Sequence, residues 1–366
     1  MENKILGFTL SLALLGAAAS VQAQTYTTLD NPAGTGGTTA YGISGNNIVG
    51  WYANSSGWQL GFLYNGSTYT TLTDPLSVQS TMHGPVPNGN YAYGISGNNT
   101  VGLYYWNAPV NGVNGYSGFL YNGSTYTTLS DPLSVSTSAQ GIDGNNIVGY
   151  YQDSSFNNYG FLYNGSTYTT LSDPLGTRNW AYGISGNNIV GQYMDSSFNL
   201  YGFLYNISAG TYTTLSDPLG VHGTVARGIS GNNIVGLYMD SSFNHYGFLY
   251  NIGAGTYTTL ADPLGVYGTV AQGISGNNIV GTYFDSTGMA HGFLYNGSTY
   301  TTVDDPLGVK GTEVLGVDGN NVVGTYFDSS DVPHGFETSV EPAPEPTTLA
   351  LAGLGSLSLL LFHRRK

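Results

Sequence analysis

Between residues 24 and 340 the chain alternates short apolar runs with polar, glycine-rich punctuation, and the pattern returns seven times. The stretch from Gly228 to Leu264 shows most of one period. Ala226 to Ser230 reads as a first strand, ended by a Gly-Asn turn. Asn233 to Met239 reads as a second, Tyr246 to Tyr250 as a third and Thr256 to Leu260 as a fourth. Asp262-Pro263 stops the last, because proline lacks the N–H that a ladder needs. Side chains alternate faces along a strand, so Ile234, Gly236 and Tyr238 point one way and Val235 and Leu237 the other. Both faces of the second strand are therefore apolar. Gly-Asn and Asn-Gly pairs between such runs signal hairpins, since tight turns need positive φ. No part of the repeat region keeps a helical period.

Four-stranded units of this length, apolar on both faces, predict an all-β chain folded as a seven-bladed β-propeller. The glycine of the second strand (Gly50, Gly102, Gly149, Gly191, Gly236, Gly281, Gly324) is expected to let neighbouring sheets approach, with a bulge as the alternative. The repeat is out of phase with the termini. A lone fourth strand, Thr25 to Leu29, comes first, and the last unit stops at its third strand. A ring gains from that offset and an open stack does not: Thr25 to Leu29 can pair beside Gly335 to Ser339, complete the last blade and remove two free edges. An open stack of hairpins is the alternative. The glycine-bearing first strands suit the hub and the threonine-rich TYTTL strands the outer rim. Long insertions fall at Ser77 to Tyr91 and Trp106 to Ser117, in connections that share one end of an up-and-down ring. Variable loops on a rigid scaffold are where binding normally sits.

The flanks differ in composition. Residues 1–23 carry Lys4, an apolar run and Val21-Gln22-Ala23, the pattern of a secretory signal peptide for signal peptidase, with an anchor as the alternative. The propeller is expected over 24–340. Residues 341–366 hold a Pro-rich linker, an apolar run from Leu349 to Phe362 that is short for a stable span, and a basic end. Pro344-Glu345-Pro346, a short span, then Arg364 and Arg365 resemble a PEP-CTERM sorting signal. That resemblance implies transient insertion in the inner membrane of a Gram-negative bacterium, processing by an exosortase, and delivery to the cell surface or biofilm matrix. The repeats resemble HAF-type extracellular repeats, most closely at His291-Gly292-Phe293 and His334-Gly335-Phe336, with Gly in place of the middle Ala. This second resemblance implies no known activity.

Charge narrows the partners. Of seven basic residues, Lys4, Arg364, Arg365 and Lys366 lie in the flanks, as do Glu2, Glu341 and Glu345 of the 21 acidic ones. Three basic and 18 acidic side chains remain, a net of −15. Nucleic acid needs clustered Lys and Arg and is excluded; cations and neutral glycans are compatible. There are no cysteines. Asp153, Asp195, Asp240, Asp285 and Asp328 open the loop after the second strand, and a second set (Asp74, Asp131, Asp173, Asp217, Asp262, Asp305) precedes the proline after the fourth. Together they are expected to form an acidic rim, either as weak Ca²⁺ sites or as turn caps. Trp51, Trp58, Trp106 and Trp180 depart from the repeat. Trp58, Trp106 and Trp180, with Arg178 and Arg227, are the candidate ligand contacts, since aromatic faces near polar loops suit sugar stacking. No catalytic motif is present, and no catalytic residue is assigned. Asp304, Glu313 and Glu337 break the acidic pattern. The expected function is a binding or scaffolding module, with exopolysaccharide as the candidate ligand; the alternative is a glycoside hydrolase or lyase using a carboxylate pair.

Overall fold

The computed structural model describes residues 24–73, 89–110 and 113–340, with backbone only for 106–110, 113 and 114. Residues 1–23, where a signal peptide is expected, residues 341–366 with Pro344, Glu345, Pro346, Arg364 and Arg365, and the connection around Asp74, Pro85 and Pro87 lie outside the described residues.

The described residues form seven antiparallel sheets of four strands, arranged as the blades of a β-propeller. Blade 5 is typical: Gly223–Ser230, Asn233–Met239, His245–Asn251 and Thr256–Leu260, in that order from hub to rim. The second and fourth strands match the sequence pattern to the residue. The first begins three residues earlier than the apolar run implies. Its added residue Thr224 is buried because its hydroxyl receives the Asp217 N–H at 3.0 Å. A polar residue thus extends the strand by closing the joint to blade 4.

Blade 7 is completed by Tyr26–Thr28, which pairs with Pro333–Ser339; Tyr26 lies opposite Thr338 and Thr28 opposite Phe336. Leu29 N–H donates to the Gly335 carbonyl at 2.7 Å. The core lies in the seams between blades, and there are seven clusters for seven seams. An open stack of seven sheets would have six. The seam between the last and first blades holds Leu29 and Val323 against Ala40, Ile48, Tyr52 and Phe62.

Two further rings of interactions close on themselves. At the Gly-Asn turns, a Ser or Asp side chain of each blade accepts the glycine N–H of the next, from Ser44 with Gly97 round to Asp318 with Gly45, at 2.6 to 3.4 Å. Asp143 and Asp318, which replace the turn serine, therefore hold the neighbouring blade rather than their own turn. In each blade the second-strand tyrosine bonds a rim threonine at 2.9 to 3.3 Å. The seventh of these pairs joins Tyr326 to Thr28, across the closure.

The role expected of the second-strand glycines is corrected. A Cβ at Gly191 would overlap the Trp180 carbonyl and lie 2.8 Å from the Phe203 ring, both in its own blade. Each first strand carries a β-bulge at this level, between Ala181 and Gly183 in blade 4, and the glycine accommodates it. Close approach between blades occurs instead at the first-strand glycines. A Cβ on Gly141 would lie 2.8 Å from the Tyr182 carbonyl of the next blade.

Candidate functional site

The two ends of the ring differ in chemistry. The Gly-Asn end is small and polar at its surface. Its channel is narrowed by a collar of Ile43, Ile95, Ile142, Ile184, Ile229, Ile274 and Val317 around a cavity of about 210 Å³. The other end carries the variable loops and most of the candidate residues.

At that end the loop after the second strand, in blades 1 and 3 to 7, is a hydrogen-bonded four-residue turn ending in a residue in the left-handed region. In blade 4, Phe198 N–H donates to the Asp195 carbonyl at 3.1 Å, and Asp195 N–H to the Asn199 carbonyl at 3.0 Å. The Asp195 carboxylate accepts from the N–H groups of Ser197 and Asn199 at 2.8 and 2.9 Å. Asp153, Asp240, Asp285 and Asp328 do the same in their blades, and Asn54 does so in blade 1. Side-chain donors add to them, from Asn199 to Asp195, Asn244 to Asp240 and the Thr287 hydroxyl to Asp285, and together these hydrogen bonds hold the five carboxyls below the usual range, with Asp285 at about 2. All five are loop caps. Among the described residues, no three His, Asp or Glu side chains group in a way able to hold a metal ion.

The second aspartate set does not join an acidic rim, which corrects the expectation. Asp131, Asp173, Asp217, Asp262 and Asp305 are 2 to 5% exposed, sealed between blades. Each accepts the N–H of the leucine two residues on at 2.9 Å, and burial pushes each carboxyl up. The leucines so presented (Leu133, Leu175, Leu219, Leu264, Leu307) are 58 to 67% exposed at the same end.

The left-handed position of the loop is the residue-level surprise. Blades 1 and 6 place Gly57 and Gly288 there, at φ 75° and 84°. Blades 3, 4 and 5 place Phe156, Phe198 and Phe243 there, at 65°, 65° and 64°. A side chain with a Cβ costs about 1–2 kcal/mol in this region, and burial does not offset it, because the three rings are 52, 75 and 66% exposed. Between Phe198 and Phe243 lies a groove of about 310 Å³, walled by Tyr201 and floored by Gly220 to Gly223. The His222 ring lies flat on Phe243, with centroids 3.8 Å apart and planes 7° apart.

The five residues singled out as ligand contacts are not brought together. Trp58 is half-buried in the blade 1 loop, where its backbone N–H donates to Asn54 Oδ1 at 3.0 Å. Trp106 pairs through its backbone with Gly115 in blade 2, and its side chain is outside the described set. Arg178 and Trp180 lie on the first strand of blade 4. Arg227 occupies the bulge of blade 5, bonds Gln272 of blade 6 across the hub, and has its pKa pushed down by burial. Around the hub of blades 1 and 2, Tyr41, Trp51, Tyr91, Tyr93, Tyr105 and Tyr116 make a chain of aromatic contacts. Asp304, Glu313 and Glu337 sit apart: Asp304 holds His291 Nδ1 at 2.6 Å, Glu313 is on a hub strand with its carboxyl pushed up by burial, and Glu337 is on the third strand of blade 7. Phe156, Phe198, Phe243 and Tyr201 are absent from the sequence-derived set. Aligning the loops would have exposed the phenylalanines standing where Gly57 and Gly288 stand.

Comparison with known proteins supports the address and the fold. Residues 342–366 match the PEP-CTERM protein-sorting motif. That motif implies an exported protein with a membrane-anchoring sorting tail, processed by exosortase-type machinery. No curated protein matches the chain. Among solved structures, the β-propeller domain of the Trilobed protease from Pyrococcus furiosus is similar over 85% of this chain and 100% of its own, at 9% identity and TM-score 0.55. The Pyrococcus horikoshii acylaminoacyl peptidase is similar over 86% of this chain and 54% of its own, at 10% identity and TM-score 0.53. For puromycin hydrolase the shares are 84% and 54%, at 11% identity and TM-score 0.51. This chain spans about half the length of the last two. At these identities the likeness concerns the fold alone.

Proposed function

We propose that the protein is a surface- or matrix-associated propeller that binds a neutral polysaccharide through its variable-loop end. The observation that carries this reading is the gathering of exposed aromatic side chains at that end of a domain with 3 basic and 18 acidic residues. Aromatic faces bind sugar rings without requiring charge, and the net charge of −15 repels polyanions. The resemblance of the repeats to HAF-type extracellular repeats and the sorting tail both support work outside the cell.

The test is gel retardation of the purified ectodomain in neutral polysaccharides (dextran, laminarin) against alginate. Retardation by a neutral polymer, undiminished by salt, is expected. Retardation by alginate alone, or by nothing, would refute the reading. Removing residues 342–366 is expected to empty the surface pool, read by cell fractionation.

A further inference from the structure

Phe198 and Phe243 are strained and exposed at once. A glycine would hold the same loop without steric strain, as Gly57 and Gly288 do in blades 1 and 6. Stability of the ring therefore gives no reason for phenylalanine at 198, and at 243 only the contact with His222. Strain retained without burial points to use by a ligand.

The groove between the two rings has the features of a sugar subsite. At about 310 Å³ it is at the small end of ligand pockets. None of its lining residues is Lys, Arg, Asp or Glu. The exposed Asp195 and Asp240 loops stand beside it, so an anionic ligand is disfavoured. Its polar groups are uncharged. Tyr201 is held by stacking on Tyr193 at 5.3 Å and 28°, and its hydroxyl makes no hydrogen bond to the described residues. The His222 ring fixes the Phe243 wall by stacking.

We propose that this groove takes one pyranose ring of a neutral polysaccharide. Phe198 stacks on one apolar face, the His222 ring backed by Phe243 closes the other side, and Tyr201 hydrogen-bonds its hydroxyls. The proposal rests on the polysaccharide reading above and locates it. Exposed aromatic side chains continue along the ring, with Phe156 in the blade 3 loop and Tyr267 in the connection from blade 5 to blade 6. A series of aromatic lobes on successive blades matches a polymer better than a free monosaccharide. A protein partner is the competing occupant.

The experiment compares the intact chain with F198G, F243G and the double variant in three measurements: melting temperature, gel retardation by dextran and laminarin, and sedimentation. Because glycine relieves the strain, the variants are expected to melt above the parent. Their affinity for the retarding polysaccharide is expected to fall about tenfold or more. Higher melting with undiminished retardation overturns the groove while leaving the polysaccharide reading intact. Lower melting makes the rings structural and overturns it too. Loss of self-association without loss of retardation shows that the rings serve protein contacts, and does the same. If the parent is retarded by no polysaccharide, both readings fall together.

Discussion

Single glycines decide whether a blade forms, and the positions are unequal for a stated reason. Gly186 sits at φ 56° with open space where a Cβ would go, so Gly186→Ala meets only backbone strain, about 1 kcal/mol. Gly191 has ordinary strand geometry, but a Cβ there collides with the Trp180 carbonyl and the Phe203 ring. The bulge of the first strand fixes one and a fully buried side chain the other. Gly191→Ala is therefore expected to cost more, about 2–3 kcal/mol. Urea titration of the two variants checks the order, and equal midpoints would remove the bulge as the reason for the glycine. The need for glycine here was legible in the repeat, but its cause was not. Spacing shows a missing side chain without showing what fills the space. The same limit hid Phe198, since a phenylalanine among serines in a loop looks incidental until φ is known.

Within a blade, the third strand meets the second-strand tyrosine through Tyr159, Tyr201 or Tyr246 in blades 3 to 5 and through His291 or His334 in blades 6 and 7. The histidine version brings its own acids. His291 lies 2.6 Å from Asp304 and 3.4 Å from Asp285; His334 lies 2.8 Å from Asp30 and 3.6 Å from Asp328. Asp304 and Asp30 follow the rim strand where the tyrosine blades have Ser or Ala. Burial works against protonation of His291, but Asp304 and Asp285 together outweigh it and raise its pKa above 6.5. Asp262 also faces this charge. A histidine raised in the folded state adds stability that is complete below its unfolded pKa and is lost as pH rises through the folded one. The melting difference between the parent and H291Q should thus be greatest below about pH 6.5 and shrink toward alkaline pH. A difference that grows with pH would show that the two aspartates do not act on the ring. The buried Asp131 set has the same sign in the acid range, because its raised carboxyls favour the neutral form, so the two windows separate. The capped Asp153 set runs the other way, losing its contribution as pH falls through its lowered pKa values. Sequence repetition placed both aspartate sets at the right end of the ring. It could not tell an exposed cap from a carboxyl sealed behind Pro and Leu, because burial depends on the next blade.

At the scale of the molecule, ring closure was the part most open to reading, since a repeat split between the termini has a physical use only in a circle. The variable-loop site was the least open, because it is assembled from neighbouring blades. Closure also makes the sharpest demand on the structure. Leu29 fills the seam between blades 7 and 1 as Leu215 fills the seam between blades 4 and 5, and both are at most 1% exposed. Truncating Leu215 to Ala leaves its strand tied by the chain on both sides and is expected to cost about 2–5 kcal/mol. Deleting residues 24–30 removes the Leu29 wedge, the Thr28 bond to Tyr326, the Tyr26 ring on Phe336 and the Asp30 contact with His334 together. It also bares the outer edge of Pro333–Ser339 for pairing with another chain. The deletion is therefore expected to lower melting far more than L215A and to produce higher-order species in sedimentation. A peptide of the sequence QTYTTLD, added in excess, should reverse both effects, because its ladder partners remain in place. If the shortened chain melts with L215A and stays monomeric, the seventh seam contributes no more than the other six. The strand Tyr26–Thr28 would then be an ornament on a ring that closes without it.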